Sequence, residues 1–475
     1  VSTNLAVHRD GERVGRRTWA ALVVLAAGLA IDTGSVAVVN AALPVIGREL
    51  DMDDALLQWT ITLYAAAFAG FLLFGGRAAD VLGRRPVFAL GIGVFTVCAA
   101  IAAAAPTAEV LVVARAGQGL GAALSGPASL ALVTQLFPEG PLRDRALAVY
   151  TSVGASSFSG GLVLGGVLTD AFGWRAVFAV LTAIALAVLL AVRSLLPSGT
   201  RERQSMDPQG AVLATSGLVA AVYGVGNAAT NGWADARTWA PIVVAVVLLI
   251  GFVFWERRTA DPLLPLTIFH STPVRRATLA AVAFFTPVLG LLFFAPLYLQ
   301  GMLGYSPLES GLAIVPMGLI VMVSANVAGR VLARVGQRPL IVGGLLLIAL
   351  GVGVLWARTP LGGGYRADVL PGIAVMSVGQ GLAFAALTAA SLTDVPQARH
   401  GVAGALNVTS QQLGGSLGVA ALVTVAHAAG SPGTPSGVLD GYHAAYVAGA
   451  AVAVLGALVI AVLPYGGTTP SKKKE

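Results

Sequence analysis

The chain has 475 residues, of which 56% are hydrophobic and 11% charged, and its mean hydropathy is +0.83. Soluble globular chains carry about 25% charged residues, so this composition excludes a soluble enzyme, a disordered chain and a disulfide scaffold; the single cysteine, Cys98, has no internal partner. The formal charge of +7 is carried by bases set between long apolar runs, which reads as membrane orientation and not as nucleic-acid binding.

A membrane-crossing helix needs about 20 mostly apolar residues. In chain order the sequence offers fourteen such stretches: 18–43, 57–76, 86–106, 109–135, 146–169, 174–196, 208–228, 238–255, 277–300, 308–329, 339–357, 367–392, 401–427 and 441–464. None alternates apolar and polar residues as a barrel strand would. Hydrocarbon offers backbone groups no partners, and a helix satisfies them within its own segment. The expectation is an all-α membrane protein with 14 transmembrane helices. The first stretch is too long for a cleavable signal peptide and no small-residue cleavage site follows it.

Charge sets the orientation. With both termini cytoplasmic, inside segments hold Arg9, Arg13, Arg16 and Arg17, then Arg77, Arg84, Arg85, Arg143, Arg145, Arg193, Arg201, Arg203, Arg257, Arg258, Arg275, Arg276, Arg330, Arg334, Arg338 and Arg399, and finally Lys472, Lys473 and Lys474. That is 23 of the 29 basic residues. Five (Arg48, Arg175, Arg237, Arg358 and Arg366) lie outside, and Arg115 lies within a span. The positive-inside rule then places both termini in the cytoplasm. Lys472–Lys474 are either an anchor at the anionic inner leaflet or a plain solvated tail.

The stretch Gly76-Arg-Ala-Ala-Asp-Val-Leu-Gly-Arg-Arg-Pro86 recurs as Gly329-Arg-Val-Leu-Ala-Arg-Val-Gly-Gln-Arg-Pro339. Gly117-Gln118-Gly119-Leu120 recurs as Gly379-Gln380-Gly381-Leu382, and Ala128-Ser129-Leu130 as Ala390-Ser391-Leu392. Two motifs in the same order at similar offsets imply two pseudo-symmetric six-helix bundles. The expected organisation is a cytoplasmic arm 1–17, a first bundle 18–197, two inserted helices with their linkers 198–272, a second bundle 273–464 and a basic tail 465–475. Parallel repeats with a substrate site between the halves, near the midplane, are a transporter plan.

Asp32 is the only acidic residue deep within a span. A charge there costs roughly 2.5–3.5 kcal/mol on insertion scales, so it should face the bundle interior. Burial disfavours its charged form, which suits a group that takes a proton on one side and releases it on the other; the alternative is a carboxylate satisfied by static neighbours. Arg115 is the only base deep within a span, with Gln118 one turn further on the same face. It either tunes Asp32 as the halves rock or forms a static clamp. Asn40 follows Asp32 by two helical turns, and either binds substrate or bonds a neighbouring helix. Gln58, Trp59, Tyr64, Tyr298, Gln300, Asn407, Gln411 and Gln412 are further cavity candidates. Asp80 breaks an otherwise basic loop beside Arg84 and Arg85, with Gly76 and Gly83 allowing a tight turn; it is either a conformational latch or part of a topogenic charge cluster. Gly161, Gly165 and Gly166, with Gly154, Gly160 and serines around them, give a small-residue face for close helix packing. No strand precedes Gly117-Gln118-Gly119, no Walker A sequence occurs, and one cysteine and five scattered histidines make no ligand cluster. No cofactor or metal is expected.

These motifs resemble those of the major facilitator superfamily, in particular its fourteen-helix drug/proton antiporter branch. Gly76-x-x-x-Asp80-x-x-Gly83-Arg84-Arg85 is similar to the superfamily's loop 2–3 signature. Ile31-Asp32-Thr33 through Asn40-Ala41-Ala42-Leu43-Pro44 resembles the branch's first-helix signature. Arg115-Ala-Gly-Gln118-Gly119-Leu-Gly121 resembles the fourth-helix signature, and Pro296-Leu-Tyr298-Leu299-Gln300 with Gly304-Tyr305-Ser306-Pro307 is also typical of the branch. One departure stands out: the fifth-helix antiporter signature has a proline where this chain has Leu162, ahead of Gly165-Gly166. The resemblance covers almost the whole chain. It implies roles in coupling for Asp32 and Arg115 and a proton-coupled exporter of hydrophobic small molecules such as drugs or antibiotics; the Ala-, Gly-, Val- and Arg-rich, Lys-poor composition points to a GC-rich bacterial genome, and a monomer in the bacterial cell membrane is expected. The alternatives are a proton symporter or a narrow-specificity metabolite transporter. A non-transporting receptor would call for extended soluble segments, which the short loops do not supply.

Overall fold

A computed structural model describes residues 15–137, 140–197, 207–259, 262–393, 395, 400–431 and 433–463. The arm before residue 15 with Arg9 and Arg13, the stretch with Arg201 and Arg203, Arg399, and the tail with Lys472–Lys474 lie outside the described residues. The described residues are helical and contain no strand. In chain order the helices are α1 (Arg16–Glu49), α2 (Asp54–Leu57), α3 (Trp59–Leu82), α4 (Arg84–Ala103), α5 (Ala108–Leu136), α6 (Pro141–Phe172), α7 (Trp174–Leu195), α8 (Pro208–Asn231), α9 (Ala236–Glu256), α10 (Thr272–Gly301), α11 (Pro307–Val335), α12 (Gln337–Arg358), α13 (Leu370–Leu392), α14 (His400–Ala429) and α15 (Pro435–Val462). A 3-10 turn Leu266–His270 precedes α10 and a π turn Tyr365–Val369 leads into α13. Among the described residues, fourteen segments are long and apolar enough to cross a membrane, matching the expected number.

Helix ends follow capping chemistry more than hydropathy, so several helices outrun their apolar windows. Ser271 accepts a hydrogen bond from Val274 N and Pro273 sits in the first turn, so α10 starts at 272 and not at 277. Thr434 does the same for Gly437 N ahead of Pro435, which starts α15 six residues early. Ser306 and Glu309 form a reciprocal capping box at α11. Gly83 and Gly336, equivalent positions of the repeated motif, have φ of +104° and +84°. That conformation suits glycine and turns the chain from α3 into α4, and from α11 into α12.

The packing repeats. α1 lies against α6 and α7, α5 against α3 and α4, and α4 against α7; the same relations recur with α10 against α14 and α15, α13 against α11 and α12, and α12 against α15. A hydrogen bond marks the register: Thr33 Oγ1 donates to Gly154 O at 3.2 Å between α1 and α6, and Thr286 Oγ1 to Gly414 O at 2.9 Å between α10 and α14. The two sets meet where α3 packs on α14, α6 on α11 and α1 on α10. α8 and α9 pair with each other, and α8 lies along both α3 and α14. Thr424 Oγ1 of α14 donates to Val225 O of α8 at 3.1 Å, and a Cβ at Gly226 would sit 2.5 Å from the Trp59 ring of α3.

Candidate functional site

Asp32 lies at the middle of α1, 7% exposed. Its Oδ2 accepts from Ser125 Oγ of α5 at 3.2 Å, and its buried Oδ1 has no partner. Beside it, Tyr64 of α3 donates its hydroxyl to Asp32 O at 3.1 Å. Tyr64 also supplies the ring over which the Arg115 guanidinium lies, 4.3 Å from the centroid. Arg115 is fully buried. Its Nε donates to Thr60 O at 2.8 Å, and its Nη1 to Ser35 Oγ at 2.9 Å and to Gln118 Oε1 at 2.8 Å. Its Nη2 has no partner, and neither does Gln118 Nε2. The acid and the base are therefore not paired. Tyr64 stands between them, hydrogen-bonded to the backbone of one and stacked on the other.

A buried carboxyl and a buried guanidinium with an aromatic ring between them form a site with spare hydrogen-bonding capacity. A lone carboxylate out of water with one hydroxyl partner is costly as an anion and readily binds a proton. The guanidinium is held by a carbonyl, a hydroxyl, an amide and an aromatic face, with no carboxylate. Gln118 falls on the Arg115 face that the sequence indicates. Ser35 and Ser125 enter through their hydroxyls, whose only signal in the sequence is a polar atom in an otherwise apolar span, and Thr60 enters through its main-chain carbonyl, which leaves no signal in the sequence. One turn beyond Ser125 on α5, Ser129 shares a hydrogen bond of 2.5 Å with Tyr150 of α6.

The second helix set carries a different lining at the equivalent depth. Thr33 pairs with Thr286, an offset that the Gly76 and Gly329 motifs share, so the residue equivalent to Asp32 is Phe285. Its ring lies 6.4 Å from Phe384 of α13, and Phe284 lies 4.8 and 6.2 Å from the two. Phe285 is half-buried and Phe384 is exposed.

The other expected cavity residues divide. Asn40 is buried, with Nδ2 donating to Val36 O at 2.7 Å and Oδ1 without a partner. Asn407 is buried with an unpartnered Oδ1, and Gln411 is half-buried. Gln58 is fully buried and donates to Ala55 O at 2.9 Å, at the short helix α2. Trp59 does not reach Asp32: it packs on Tyr223 and Gly226 of α8. Tyr298 donates to Pro360 O at 2.8 Å. Gln300 Nε2 donates to Ala41 O at 3.0 Å, joining α10 to α1. Trp59 thus serves the packing of α3 on α8, while Tyr298 and Gln300, near the end of α10, donate to carbonyls of a neighbouring loop and helix.

Further cross-contacts gather at the same end as Gln300. Tyr442 Oη donates to Asp54 Oδ2 at 3.3 Å. A Cβ on Gly166 would lie 2.7 Å from Pro307 O, and one on Gly311 would lie 2.5 Å from Leu162 O, so α6 and α11 touch there through backbone. Gly161 and Gly165 pack on α1: their Cβ atoms would lie 3.0 Å from Gly34 O and 2.5 Å from Val38 O. At the opposite end Asp80 Oδ1 lies 3.7 Å from Arg84 Nη2, while Arg84 Nη1 donates to Ala131 O at 3.2 Å and Arg85 Nη2 to Arg193 O at 2.9 Å. Gly83 makes the turn. Gly76 does not: it lies within α3, where a Cβ would meet Pro127 at an ordinary 3.7 Å. The helix continues past Gly76 because Ala78, Ala79, Val81 and Leu82 extend its apolar run.

The sequence profile of the Major Facilitator Superfamily matches residues 25–419, and the chain belongs to that family. It is a multi-pass bacterial cell-membrane protein of the transporter class. The chain is 38% identical over 461 residues to the puromycin resistance protein pur8 of Streptomyces alboniger, covering 95% of this chain and 91% of that one. It is 36% identical to the cephamycin export protein CmcT of Amycolatopsis lactamdurans, over 90% of this chain and 88% of that one. Among solved structures, the POT family transporter PepTSo superposes with a TM-score of 0.71 at 16% identity, over 94% of this chain and 97% of the other. An inward-open xylose transporter XylE from E. coli superposes with a TM-score of 0.63 at 16% identity, over 95% and 98%. The last two likenesses are of fold alone.

Proposed function

We propose that the chain is a proton-coupled exporter of hydrophobic small molecules of the antibiotic class, an antiporter that works as a monomer. Residues 18–197 and 273–464 act as its two rocking halves, residues 198–272 as an insertion between them, and both termini lie in the cytoplasm. The observation that carries the reading is Asp32: a buried carboxyl at the middle of a membrane-crossing helix, with one oxygen bonded to a hydroxyl, the other unpartnered, and no cation paired with it. Such a group can take up and release a proton without breaking a salt bridge. The names of the relatives, which confer resistance to or export puromycin and cephamycin, support the direction of transport.

In this reading Asp32 is the proton carrier, and Arg115 with Gln118 is a fixed cation whose distance from Asp32 is governed by Tyr64. Asn40, Asn407 and Gln411 supply polar contacts to the substrate, and Phe285 and Phe384 its lipophilic contact. Asp80, Arg84 and Arg85, with Gly83 at the turn, form the latch of the cytoplasmic end. The seam through Gln300, Gly166 and Gly311 closes the outer end. A proton crossing the membrane yields about 2.3 kcal/mol per 100 mV, roughly a fifty-fold gradient per proton. The test is efflux from cells lacking their own exporters. Expression of the chain should lower accumulation of puromycin or a lipophilic dye, and a protonophore should restore it. Accumulation that the chain raises would identify a symporter instead.

A further inference from the structure

The inserted pair α8–α9 carries an acidic arrangement that the transport site does not use. Asp207 and Glu256 stand at the start of α8 and the end of α9, and each is 4% exposed. Asp207 Oδ1 accepts from Gly210 N at 2.8 Å as the cap of α8, and from Trp255 Nε1 at 2.8 Å. Glu256 Oε2 accepts from Leu264 N at 3.0 Å, in the turn that leads to α10. One oxygen of each, Asp207 Oδ2 and Glu256 Oε1, is buried without any partner. These two face each other at the same glycine: a Cβ at Gly210 would lie 2.4 Å from the first and 2.9 Å from the second. The two unpartnered oxygens therefore crowd the same point, and the two carboxyls are neighbours. Two carboxylates cannot bond to each other, because both only accept; one carboxylic acid and one carboxylate can.

We propose that Asp207 and Glu256 form a second proton-binding site, separate from Asp32, which ties the inner end of the α8–α9 pair to the segment entering α10. A single proton on Glu256 Oε1, donated to Asp207 Oδ2, satisfies both orphaned oxygens. Asp207, which already accepts two hydrogen bonds, is the anionic partner. Loss of the proton places two negative charges side by side out of water and loosens the joint between α9 and residues 263–264. The charged groups on the neighbouring elements do not replace the proton. Arg257, Arg258, His270 and Arg275 are exposed, and Arg276 donates to Leu463 O at 2.7 Å. Phe252, one turn before Glu256, and Leu264, whose N–H Glu256 accepts, belong to a buried apolar cluster with Ile268 and Leu406.

The test is infrared spectroscopy of the full chain in lipid nanodiscs, in an Asp32→Asn background so that the transport-site carboxyl is silent. At pH 7 the carbonyl stretch of a protonated carboxylic acid is expected to be present and to disappear on adding Glu256→Gln. Asp207→Asn, whose amide can donate to Glu256, should remove the same band and serves if Glu256→Gln does not fold. The thermal-unfolding midpoint should fall as pH rises from 6 to 9 in the parent and stay level in the Glu256→Gln protein, because the folded state holds a proton that the unfolded chain gives up at neutral pH. A spectrum in which neither substitution removes a carboxylic-acid band, or equal pH slopes in parent and variant, overturns the proposal.

Discussion

Tyr64 links the two charges of the site without joining them. Its hydroxyl holds the backbone of Asp32 and its ring carries Arg115. Removing the hydroxyl as Tyr64→Phe costs one buried hydrogen bond, about 0.5–1.5 kcal/mol, and leaves the cation on its ring; transport should be weakened and remain proton-coupled. Tyr64→Ala removes the ring as well and frees Arg115 to approach Asp32. The pH at which transport is half-maximal should then shift to more acidic values, because a nearby cation holds the carboxylate charged. An unchanged pH profile in Tyr64→Ala would contradict that account. Arg115→Lys keeps the charge but has no planar fork to serve Thr60 O, Ser35 and Gln118 together, so it should transport far below the parent when measured by drug-evoked flux.

Among the helices, contact distances decide which glycines matter. A methyl on Gly165 would enter the van der Waals space of Val38 O. Gly165→Ala should separate α6 from α1 at a cost of about 1–3 kcal/mol, read as a lower midpoint in a thermal-stability scan. Gly160 has open space around it, and Gly160→Ala should leave that midpoint unchanged. The glycine face of α6 was legible in the sequence, but not which partner each glycine meets. Gly161 and Gly165 serve α1 and Gly166 serves α11, a distinction of about 100° around one helix that only the packed bundle reveals. Element number was legible because every crossing needs its own apolar run. Helix ends were less so, since caps such as Ser271 and Thr434 extend helices past the apolar windows. The residues around Asp32 and Arg115 were half legible: the lone charges and Gln118 stand out in sequence, whereas Ser35 and Ser125 are hydroxyls of a kind found throughout these helices and Thr60 offers only its main-chain carbonyl.

Over the whole molecule, the repeated packing and the seam define what must move. Gln300 to Ala41, Tyr442 to Asp54 and the backbone approach of Gly166 and Gly311 all lie at one end. In the proposed transport cycle that end parts while the Asp80–Arg84 end closes. Gly311→Leu would force α6 and α11 apart there. Distance measurements between spin labels on α6 and α11 at the end near Gly166 and Gly311 should then show a population shifted to longer separations; an unshifted distribution would place the gate elsewhere. Because α8 contacts both α3 and α14, the inserted pair lies across the seam between the two helix sets, a placement that hydropathy cannot foretell.

The central claim is that a drug leaving the cell draws a proton through Asp32. The most direct measurement uses proteoliposomes holding a trapped pH dye, with puromycin and a panel of lipophilic compounds added to the parent and to Asp32→Asn. The account predicts drug-evoked proton movement in the parent, and none in Asp32→Asn although the variant still folds and binds drug. Proton movement of equal size in Asp32→Asn would contradict it.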